Sequence, residues 1–354
     1  MTTVLALVTE AFGGRGGIAQ YNRDLLRVLA EKSTVSTITV LPRNAPDQPV
    51  APAKVTQAPP RTRRLVYAIG AVLTALQRHI DVVFSGHLYM APLACLVARL
   101  KGAKLVVQMH GVEAWSRPSR LRQAATEAAD LVFCVSRYTR GRVIGWAALE
   151  PERVVIVPDT VGEAFTPDDG SALRASLGIL DKCVLLTVGR MDSRECEKGH
   201  DRLIAAIPGL VLRGHDIVYL IVGAGDDQVR LEGLAHHHGV ADRVRFLGAI
   251  SPGALPGFYR IADLFVMPSA QEGFGIAFLE AMACGTPALG LDVGGARDPL
   301  ADGELGILVP EGDLLGALDR ALSRPRPDPQ MLAAKADARF GRGAFAAHIS
   351  RIFA

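Results

Sequence analysis

Two glutamates, Glu272 and Glu280, offer the clearest chemistry in the chain. Both lie in the segment PSAQEGFGIAFLEAMACGTP, residues 268–287, which directly follows a short apolar run at 264–267. A spacing of eight residues is about two helical turns, so both carboxylates would fall on one helix face. Carboxylates paired in this way can accept hydrogen bonds from sugar hydroxyls. The plainer interpretation, a helix-start acid and a surface charge, agrees less well with the glycines around them.

The residues after Glu272 would expose main-chain donors. Gly273, Phe274 and Gly275 follow a predicted strand and precede a helix that starts at Ile276. Amide N–H groups at the start of a helix attract anions and polar oxygens. We therefore expect these amides to be available to a ligand.

Two cations form a second candidate pair. Arg190 ends an apolar strand-like run, and Lys198 stands shortly before a predicted helix. A guanidinium can donate hydrogen bonds to two oxygens at once, and an ammonium adds a mobile point charge. The pair therefore suits a departing phosphate. The loop between them carries acids and an arginine, so a solvated charged turn is an equally good interpretation.

Glycines and a histidine mark two loops of the first half. Gly16 and Gly17 end the run GGRGG, between the first predicted strand and a helix. Its spacing is neither the GxGxxG fingerprint nor a P-loop, so a diphosphate site and an ordinary tight turn both stay open. His110 follows the fourth predicted strand, where it can hydrogen-bond a reacting group. From the residues alone, a core histidine satisfied by the backbone is the better interpretation.

These loops are positioned by strands and helices that alternate along the whole chain, which predicts parallel βαβ units. The pattern indicates Rossmann-like domains at 1–160 and 161–330. A helical segment at 331–354 either packs back on the first domain or completes the second. The predicted strands are Val4–Val8, Val35–Leu41, Val82–Ser85, Leu105–Met109, Leu131–Val135, Val154–Val157, Cys183–Val188, Ile217–Val222, Val244–Leu247, Leu264–Met267, Thr286–Leu291 and Ile307–Val309. The predicted helices are Ile18–Leu29, Leu65–Gln77, Leu93–Leu100, Leu121–Ala129, His200–Leu212, Gln228–His238, Leu255–Ile261, Ile276–Cys284 and Leu314–Leu322.

Composition excludes several protein classes. The chain has 354 residues, 49% of them hydrophobic, and its 36 Gly and 21 Pro show no fibrous or low-complexity period. Its five cysteines, Cys196 among them, form no CxxC pair, which predicts reduced thiols in the cytoplasm. The start predicts no signal peptide. The longest apolar runs, 65–76 and 88–100, are too short to span a membrane and fit buried helices better.

Charge is distributed unevenly. Residues 1–160 hold 20 Lys+Arg against 11 Asp+Glu, in a chain whose net charge is +3. An anionic partner such as a membrane surface or a phosphorylated carrier would explain this basic half, and a solvated face without a partner explains it equally well. No nucleic-acid partner is expected.

Arg61, Arg63 and Arg64 precede the apolar run at 65–76, which suits a surface helix on anionic lipid, although a core helix with solubilising arginines is the alternative. The basic charge of this half also includes Arg78, Arg117, Arg120 and Arg122.

Several segments together resemble one known family. The most specific is EGFGIAFLEAMACGTP, flanked by ADLFVMPS and DVGGARDPLADGELGILVPEGD. The likeness extends to GRMDSRECEKGHDRLI, VGAGDD and RVRFLGAI, and more loosely to GGIAQYNRDLL, to HG at 110–111, to FCVSRYT and to VVIVPD. On these segments the chain resembles the retaining glycosyltransferases of family four. The resemblance implies the GT-B fold, an α/β architecture of two Rossmann-like domains whose parallel sheets face an interdomain cleft. The first domain would bind the acceptor and the second the nucleotide sugar.

The resemblance assigns the phosphate contacts. Gly16 and Gly17 would receive the donor diphosphate, and Arg190 with Lys198 would neutralise it as it departs. Two departures from the family pattern stand out. Seven residues separate the two cations where many members have four, and the usual Pro-Asn-Gly has Asp159 in place of its Asn.

The resemblance likewise assigns the sugar contacts. Glu280 would bind the ribose of the nucleotide. Glu272 and the amides of residues 273–275, ahead of Ile276, would hold the donor sugar. His110 would lie near its reacting carbon.

The implied chemistry is sugar transfer with retention and without a metal or other cofactor. The sequence contains no Asp-x-Asp, so cations and helix N-termini would stabilise the leaving group. With no clearly placed nucleophile, the acceptor would attack from the same face, and the departing phosphate oxygen would take its proton. The donor would be a UDP- or GDP-sugar and the acceptor a glycan or a lipid-linked molecule. Such a hexosyltransferase would act in bacterial surface polysaccharide or glycolipid synthesis, in the cytoplasm or at the inner face of the cell membrane.

Two other functions stay open at this stage. Nucleotide-sugar epimerases share the two-domain architecture, and fold does not fix function. A non-catalytic nucleotide-sugar-binding protein is the second alternative. The pair Glu272 and Glu280 favours a transferase over an epimerase.

Overall fold

The computed structural model describes residues 1–45, 50–193 and 198–352. They form two compact units. The first unit runs from Met1 to Asp159 and takes in the chain again from Phe345 onward. The second runs from Thr160 to Ala344.

The first unit is built on a parallel sheet. Its strands are β1 (Thr2–Val8), β2 (Val35–Pro42), β3 (Val55–Gln57), β4 (Val82–Ser85), β5 (Lys104–Met109), β6 (Leu131–Cys134) and β7 (Val154–Ile156). Its helices are α1 (Gly17–Glu31), α2 (Arg64–Gln77), α3 (Ala91–Lys101), α4 (Arg120–Glu127) and α5 (Arg137–Ile144). The described strands lie in the order β3-β2-β1-β4-β5-β6-β7. Because helices cover both faces, the strands read as nearly continuous apolar runs, and Leu5, Leu7, Val83 and Val107 are fully buried.

The second unit repeats this plan. Its strands are β8 (Cys183–Val188), β9 (Ile217–Val222), β10 (Val244–Gly248), β11 (Leu264–Met267), β12 (Ala288–Leu291) and β13 (Ile307–Val309). Its helices are α6 (Ser171–Ser176), α7 (His200–Leu212), α8 (Gln228–His237), α9 (Leu255–Ile261), α10 (Ile276–Ala283), α11 (Leu314–Ser323) and α12 (Pro329–Phe340). The described strands lie in the parallel order β10-β9-β8-β11-β12-β13. Two Rossmann-like sheets, as predicted, are thus confirmed.

The predicted elements differ from the structure mainly where the periodic signal is short. The prediction missed β3, α5 and α6, each of eight residues or fewer. The predicted helical segment at 331–354 is two helices, α12 and α13 (Arg342–Ile352), with Gly341 between them. Phe345 and Ile349 of α13 are buried. Cys196 and the end of that segment lie outside the described residues.

The run at 65–76, for which the sequence leaves a core helix and a surface helix open, is not a fully buried helix. It forms most of α2, which buries Tyr67, Ala71 and Ala75 but leaves five large apolar side chains between 48% and 73% exposed. These are Leu65, Val66, Ile69, Leu73 and Leu76. Across the described part of the chain, no helix has the length and apolar character needed to cross a membrane.

Candidate functional site

Each sheet has one point where its strand order reverses, between β1 and β4 in the first unit and between β8 and β11 in the second. The loops that leave such neighbouring strands diverge, so a crevice opens at their carboxyl ends, where ligands of these folds bind. The sequence-predicted residues follow these strands. Gly16 and Gly17 come after β1, Arg190 after β8 and Glu272 after β11. His110 follows β5, the next strand beside β4.

The glycine-rich loop of the first unit presents backbone amides. Helix α1 begins at Gly17, and Gly16 before it has a φ of 86°, a conformation that favours glycine. A Cβ atom on Gly16 would meet nothing within 4 Å, so the loop is open there. No side chain caps this 15-residue helix, which leaves its first amides to a ligand.

Side chains of α1 hold this loop in place. The Arg23 guanidinium donates to the carbonyls of Ala11, at 3.1 Å, and Gly14, at 2.7 Å. The buried Asn22 amide donates to the carbonyl of Glu10 at 2.8 Å. The loop is therefore braced by the helix that it leads into.

His110 is held as a neutral imidazole. Its Nε2 lies 3.0 Å from the carbonyl oxygen of Gly86, which can only accept, so Nε2 carries the proton and Nδ1 the lone pair. Its backbone N–H donates to the Glu113 carboxylate at 2.6 Å. Burial lowers the pKa of the imidazole to about 4, and Glu113 opposes this only in part. The ring of Tyr21, one turn into α1, packs edge-on against it at 5.3 Å.

A second histidine lies beside His110 and was missed from the sequence. His87 follows β4, the strand next to the reversal point, and its ring centroid is 5.9 Å from that of His110. Its Nδ1 accepts the backbone N–H of Tyr89 at 3.2 Å. The Tyr89 ring lies 4.6 Å from His87, and the Arg122 guanidinium lies 4.3 Å from the centre of that ring. The sequence Ser-Gly-His directly after an apolar run was the available signal, the same one that drew attention to His110.

In the second unit, Arg190 stands on a loop that another loop supports through backbone contact. The Gly189 N–H donates to the carbonyl of Val222, and the Met191 N–H donates to that of Ala224. Cβ atoms on Gly223 and Gly225 would lie directly against the carbonyls of Gly189 and Met191. Glycines at both positions let the two loops approach each other closely, which explains the two glycines of Gly-Ala-Gly in VGAGDD. The Arg190 side chain is exposed.

Lys198 and Glu272 meet directly. The Lys198 Nζ is 3.0 Å from the Glu272 Oε2, and the carboxylate is almost wholly buried. The pair lies where two loops cross, because a Cβ on Gly199 would collide with the carbonyl of Pro268. Burial lowers the pKa of His200, which follows this pair in sequence, and the Arg190 carbonyl and the Asp201 charge oppose this only in part.

The loop from Gly273 to Ile276 turns the chain into α10. Gly275, with a φ of 94°, precedes the helix, and a Cβ there would come within 2.5 Å of the Phe278 ring. Phe274 is buried, with its ring 5.9 Å from that of Phe340 on α12. Its side chain anchors the loop, so only its backbone is available to a ligand. No side chain caps α10.

Glu280 is a buried acid and not a surface charge. Tyr259, also buried, donates its hydroxyl proton to the Glu280 Oε2 at 2.7 Å. Burial raises the pKa of Glu280 to about 7, although this hydrogen bond acts in the opposite direction. The carboxyl group is thus poised between its charged and neutral forms at neutral pH, where it can accept or donate to a hydroxyl.

The structure brings together some of the predicted residues. Lys198 contacts Glu272, and Tyr21 links the start of α1 to His110. Among the described residues, Glu280 bonds to Tyr259, which was not predicted, and to none of the predicted site residues. Within the described ranges, no three His, Cys, Asp or Glu side chains are grouped so that they could hold a metal ion.

Two family models match the chain. The model of glycosyl transferases group 1 matches residues 171–339, and that of Glycosyltransferase Family 4 matches residues 15–162. Together they cover both units.

Curated relatives agree with these families. A GDP-mannose-dependent alpha-(1-6)-phosphatidylinositol monomannoside mannosyltransferase of Mycolicibacterium smegmatis is 36% identical over 69% of this chain and 67% of its own length. A 2-deoxystreptamine N-acetyl-D-glucosaminyltransferase of Streptomyces fradiae is 32% identical over 88% and 82%. A D-inositol 3-phosphate glycosyltransferase of Gordonia bronchialis is 34% identical over 57% of this chain, and that alignment spans about half of the relative, 47%.

Solved structures match the fold over nearly the whole chain. Anabaena Alr3699/HepE, solved with UDP and glucose, superposes with a TM-score of 0.77 at 19% identity, covering 100% of this chain and 99% of the other. WaaG, a glycosyltransferase involved in lipopolysaccharide biosynthesis, superposes with a TM-score of 0.68 at 22% identity, covering 98% and 99%. At these identities the likeness concerns the fold.

Proposed function

Because the chain belongs to glycosyltransferase family 4, we propose that it transfers a sugar from a UDP- or GDP-sugar to an acceptor, with retention and without a metal ion. Two relatives of different kinds support a nucleotide-sugar donor. The mycobacterial enzyme is GDP-mannose-dependent, and the Anabaena protein was solved with UDP. In this chain Glu280 takes the ribose hydroxyls, since its carboxyl group can both accept and donate near neutral pH.

The observation that carries the proposal is the contact between Lys198 and Glu272. It places a cation suited to a phosphate beside a carboxylate suited to sugar hydroxyls. An ammonium has three N–H donors, and the contact with Glu272 uses one of them. Among the described residues no second side-chain partner of the Lys198 Nζ is found, so its other N–H groups can serve the departing diphosphate, with Arg190 as a further donor.

The reaction needs no protein nucleophile in this arrangement. The acceptor oxygen bonds to the anomeric carbon as the bond from that carbon to the phosphate oxygen breaks. The acceptor proton passes to that phosphate oxygen. The cations and the amides at residues 273–276 stabilise the charge that develops.

His110 orients the sugar in this reaction and does not act as an acid. Its pKa, lowered to about 4 by burial, leaves the imidazole neutral at pH 7. Nε2–H is committed to the Gly86 carbonyl, so Nδ1 can accept a hydrogen bond from a sugar hydroxyl.

Substitution at the ion pair tests the proposal. Lys198→Ala and Glu272→Ala should each reduce sugar transfer by about 10²-fold or more, because each removes a stabiliser of the transition state. Initial rates with UDP- and GDP-sugars would be measured with and without a chelator, which should change nothing. Arg202→Ala is the control, since Arg202 also pairs with a glutamate, the exposed Glu311. Near-normal rates in folded Lys198 and Glu272 variants would contradict the site, and a strict need for added Mg²⁺ or Mn²⁺ would contradict metal independence.

We propose further that the acceptor is lipid-linked and that α2 binds the membrane surface. Leu65, Ile69, Leu73 and Leu76 follow one another at helical spacing along the exposed side of α2. The side chain of Arg61 lies against this helix at Gly70. Arg63 just before α2 and Arg64 at its first position are also exposed. Apolar side chains beside arginines match an anionic bilayer surface. Such a site fits glycolipid or surface polysaccharide synthesis in a bacterium.

A further inference from the structure

The row formed by Arg122, Tyr89 and His87 beside His110 has no part in the donor chemistry above. We propose that these three residues form an acceptor subsite that binds a phosphate group of the acceptor. The inference rests on the proposed function, because the protein has an acceptor subsite only if it transfers a sugar to an acceptor.

The first argument is that the row offers hydrogen-bond donors. His87 is only 7% exposed, and its Nδ1 accepts the Tyr89 amide, so its proton lies on Nε2. That Nε2 has no hydrogen-bond partner within the described residues. The Nε2 atom is not fully enclosed, so its N–H is open to a ligand oxygen.

The second argument is charge. Within the described ranges, no carboxylate lies within ion-pair distance of the Arg122 guanidinium, which stacks on the Tyr89 ring instead. Stacking fixes the plane of the guanidinium and leaves its N–H groups free at the edge. Burial lowers the pKa of His87, and the charge of Arg122 lowers it further, although Glu113 opposes them. The imidazole therefore stays neutral and donates through Nε2.

The third argument is position. The row begins at Arg122 on α4, continues through the half-exposed Tyr89 and ends with His87 beside His110. Glu113, the acid that acts on both histidines, has its carboxylate bound to the His110 amide. The Arg122 guanidinium and the His87 Nε2–H together suit an anion, because a guanidinium can donate to two phosphate oxygens at once. A cationic aminocyclitol would be repelled.

Binding of myo-inositol 1-phosphate, with myo-inositol as the uncharged counterpart, tests the subsite. The phosphate would be followed by ³¹P NMR relaxation and both compounds by calorimetry. We expect the phosphate to bind more tightly than inositol, and Arg122→Gln to weaken it by about 10- to 100-fold. His87→Ala should weaken it as well, and His87→Gln, which restores an N–H, should recover part of the loss.

Arg120→Gln is the matched control, since Arg120 lies on the same helix, is exposed and carries the same charge. Equal effects of the Arg120 and Arg122 substitutions would reveal a general charge effect and overturn the subsite. So would equal affinity of the wild type for inositol and its phosphate, or no measurable binding of the phosphate. Thermal shift with UDP and GDP tests the donor function separately, so a protein that binds nucleotide but not inositol phosphate would refute the subsite alone.

Discussion

At the scale of single residues, the buried carboxyl group of Glu280 makes stability depend on pH. The pKa of its carboxyl group is near 7 in the folded protein and 4.5 in an ordinary environment. A raised pKa favours the protonated form on folding, so its contribution to stability is complete below about pH 4.5. That contribution is lost as the pH rises through 7.

Glu280→Gln should therefore stabilise the ligand-free protein at pH 8 and change little at pH 5. A glutamine keeps an oxygen for the Tyr259 hydroxyl and never carries the buried charge. We expect the melting temperature to rise by a few degrees at pH 8, as measured by calorimetry at both pH values. Glu311→Gln, at an exposed site, should show no such dependence. An equal shift at pH 5 and pH 8 would contradict the assignment.

At the scale of elements, the Arg190 loop depends on glycines in a neighbouring loop. Gly225→Ala would push a methyl group against the Met191 carbonyl, so it should destabilise the second unit and displace Arg190. Gly233→Ala is the control, because Gly233 lies inside α8 with open space around it. That substitution should stabilise by roughly 0.5–1 kcal/mol. Chemical denaturation of both variants measures the change in stability. Nucleotide binding, the second readout, measures the effect of displacing Arg190.

Helix α2 is the element that tests the membrane proposal. The protein should co-sediment with anionic vesicles at low salt, and less at high salt because the arginines contribute through screened charge. Leu73→Asp should reduce binding, whereas Leu212→Asp, at an exposed leucine of α7, should not. Replacing Arg61, Arg63 and Arg64 together should abolish it. If the protein remains in the supernatant with anionic vesicles at low salt, a soluble acceptor is the better interpretation.

At the scale of the whole molecule, the last helix joins the first unit although it follows the second in sequence. Phe345 packs against Tyr21, with ring centroids 6.2 Å apart, and the His348 Nε2 donates to the carbonyl of Ile156 at 2.6 Å. Phe345→Ala should cost about 3–5 kcal/mol and should affect the first unit selectively. Hydrogen exchange should then accelerate in β1 and β7 but not in β8 or β11. Met331→Ala, at an exposed site on α12, is the control, and an equal loss of protection in both units would contradict the assignment of α13.

The sequence by itself determined the order of elements and the two sheets. Buried parallel strands must be apolar along their length, so β8, β9, β11 and β13 could be delimited to the residue. The short β3 and α6 gave too little periodic signal to be recognised. The predicted strand ends also place Glu272 after β11 and His110 after β5, where the structure has them.

Only the tertiary structure decided which side chains meet and what their surroundings do to them. The contact between Lys198 and Glu272, and the row that joins His87 to Arg122, connect residues far apart in sequence. Such contacts depend on how loops cross, which local patterns do not encode. The raised pKa of Glu280 has the same origin, because a carboxyl group becomes hard to ionise only when packing has excluded water from it.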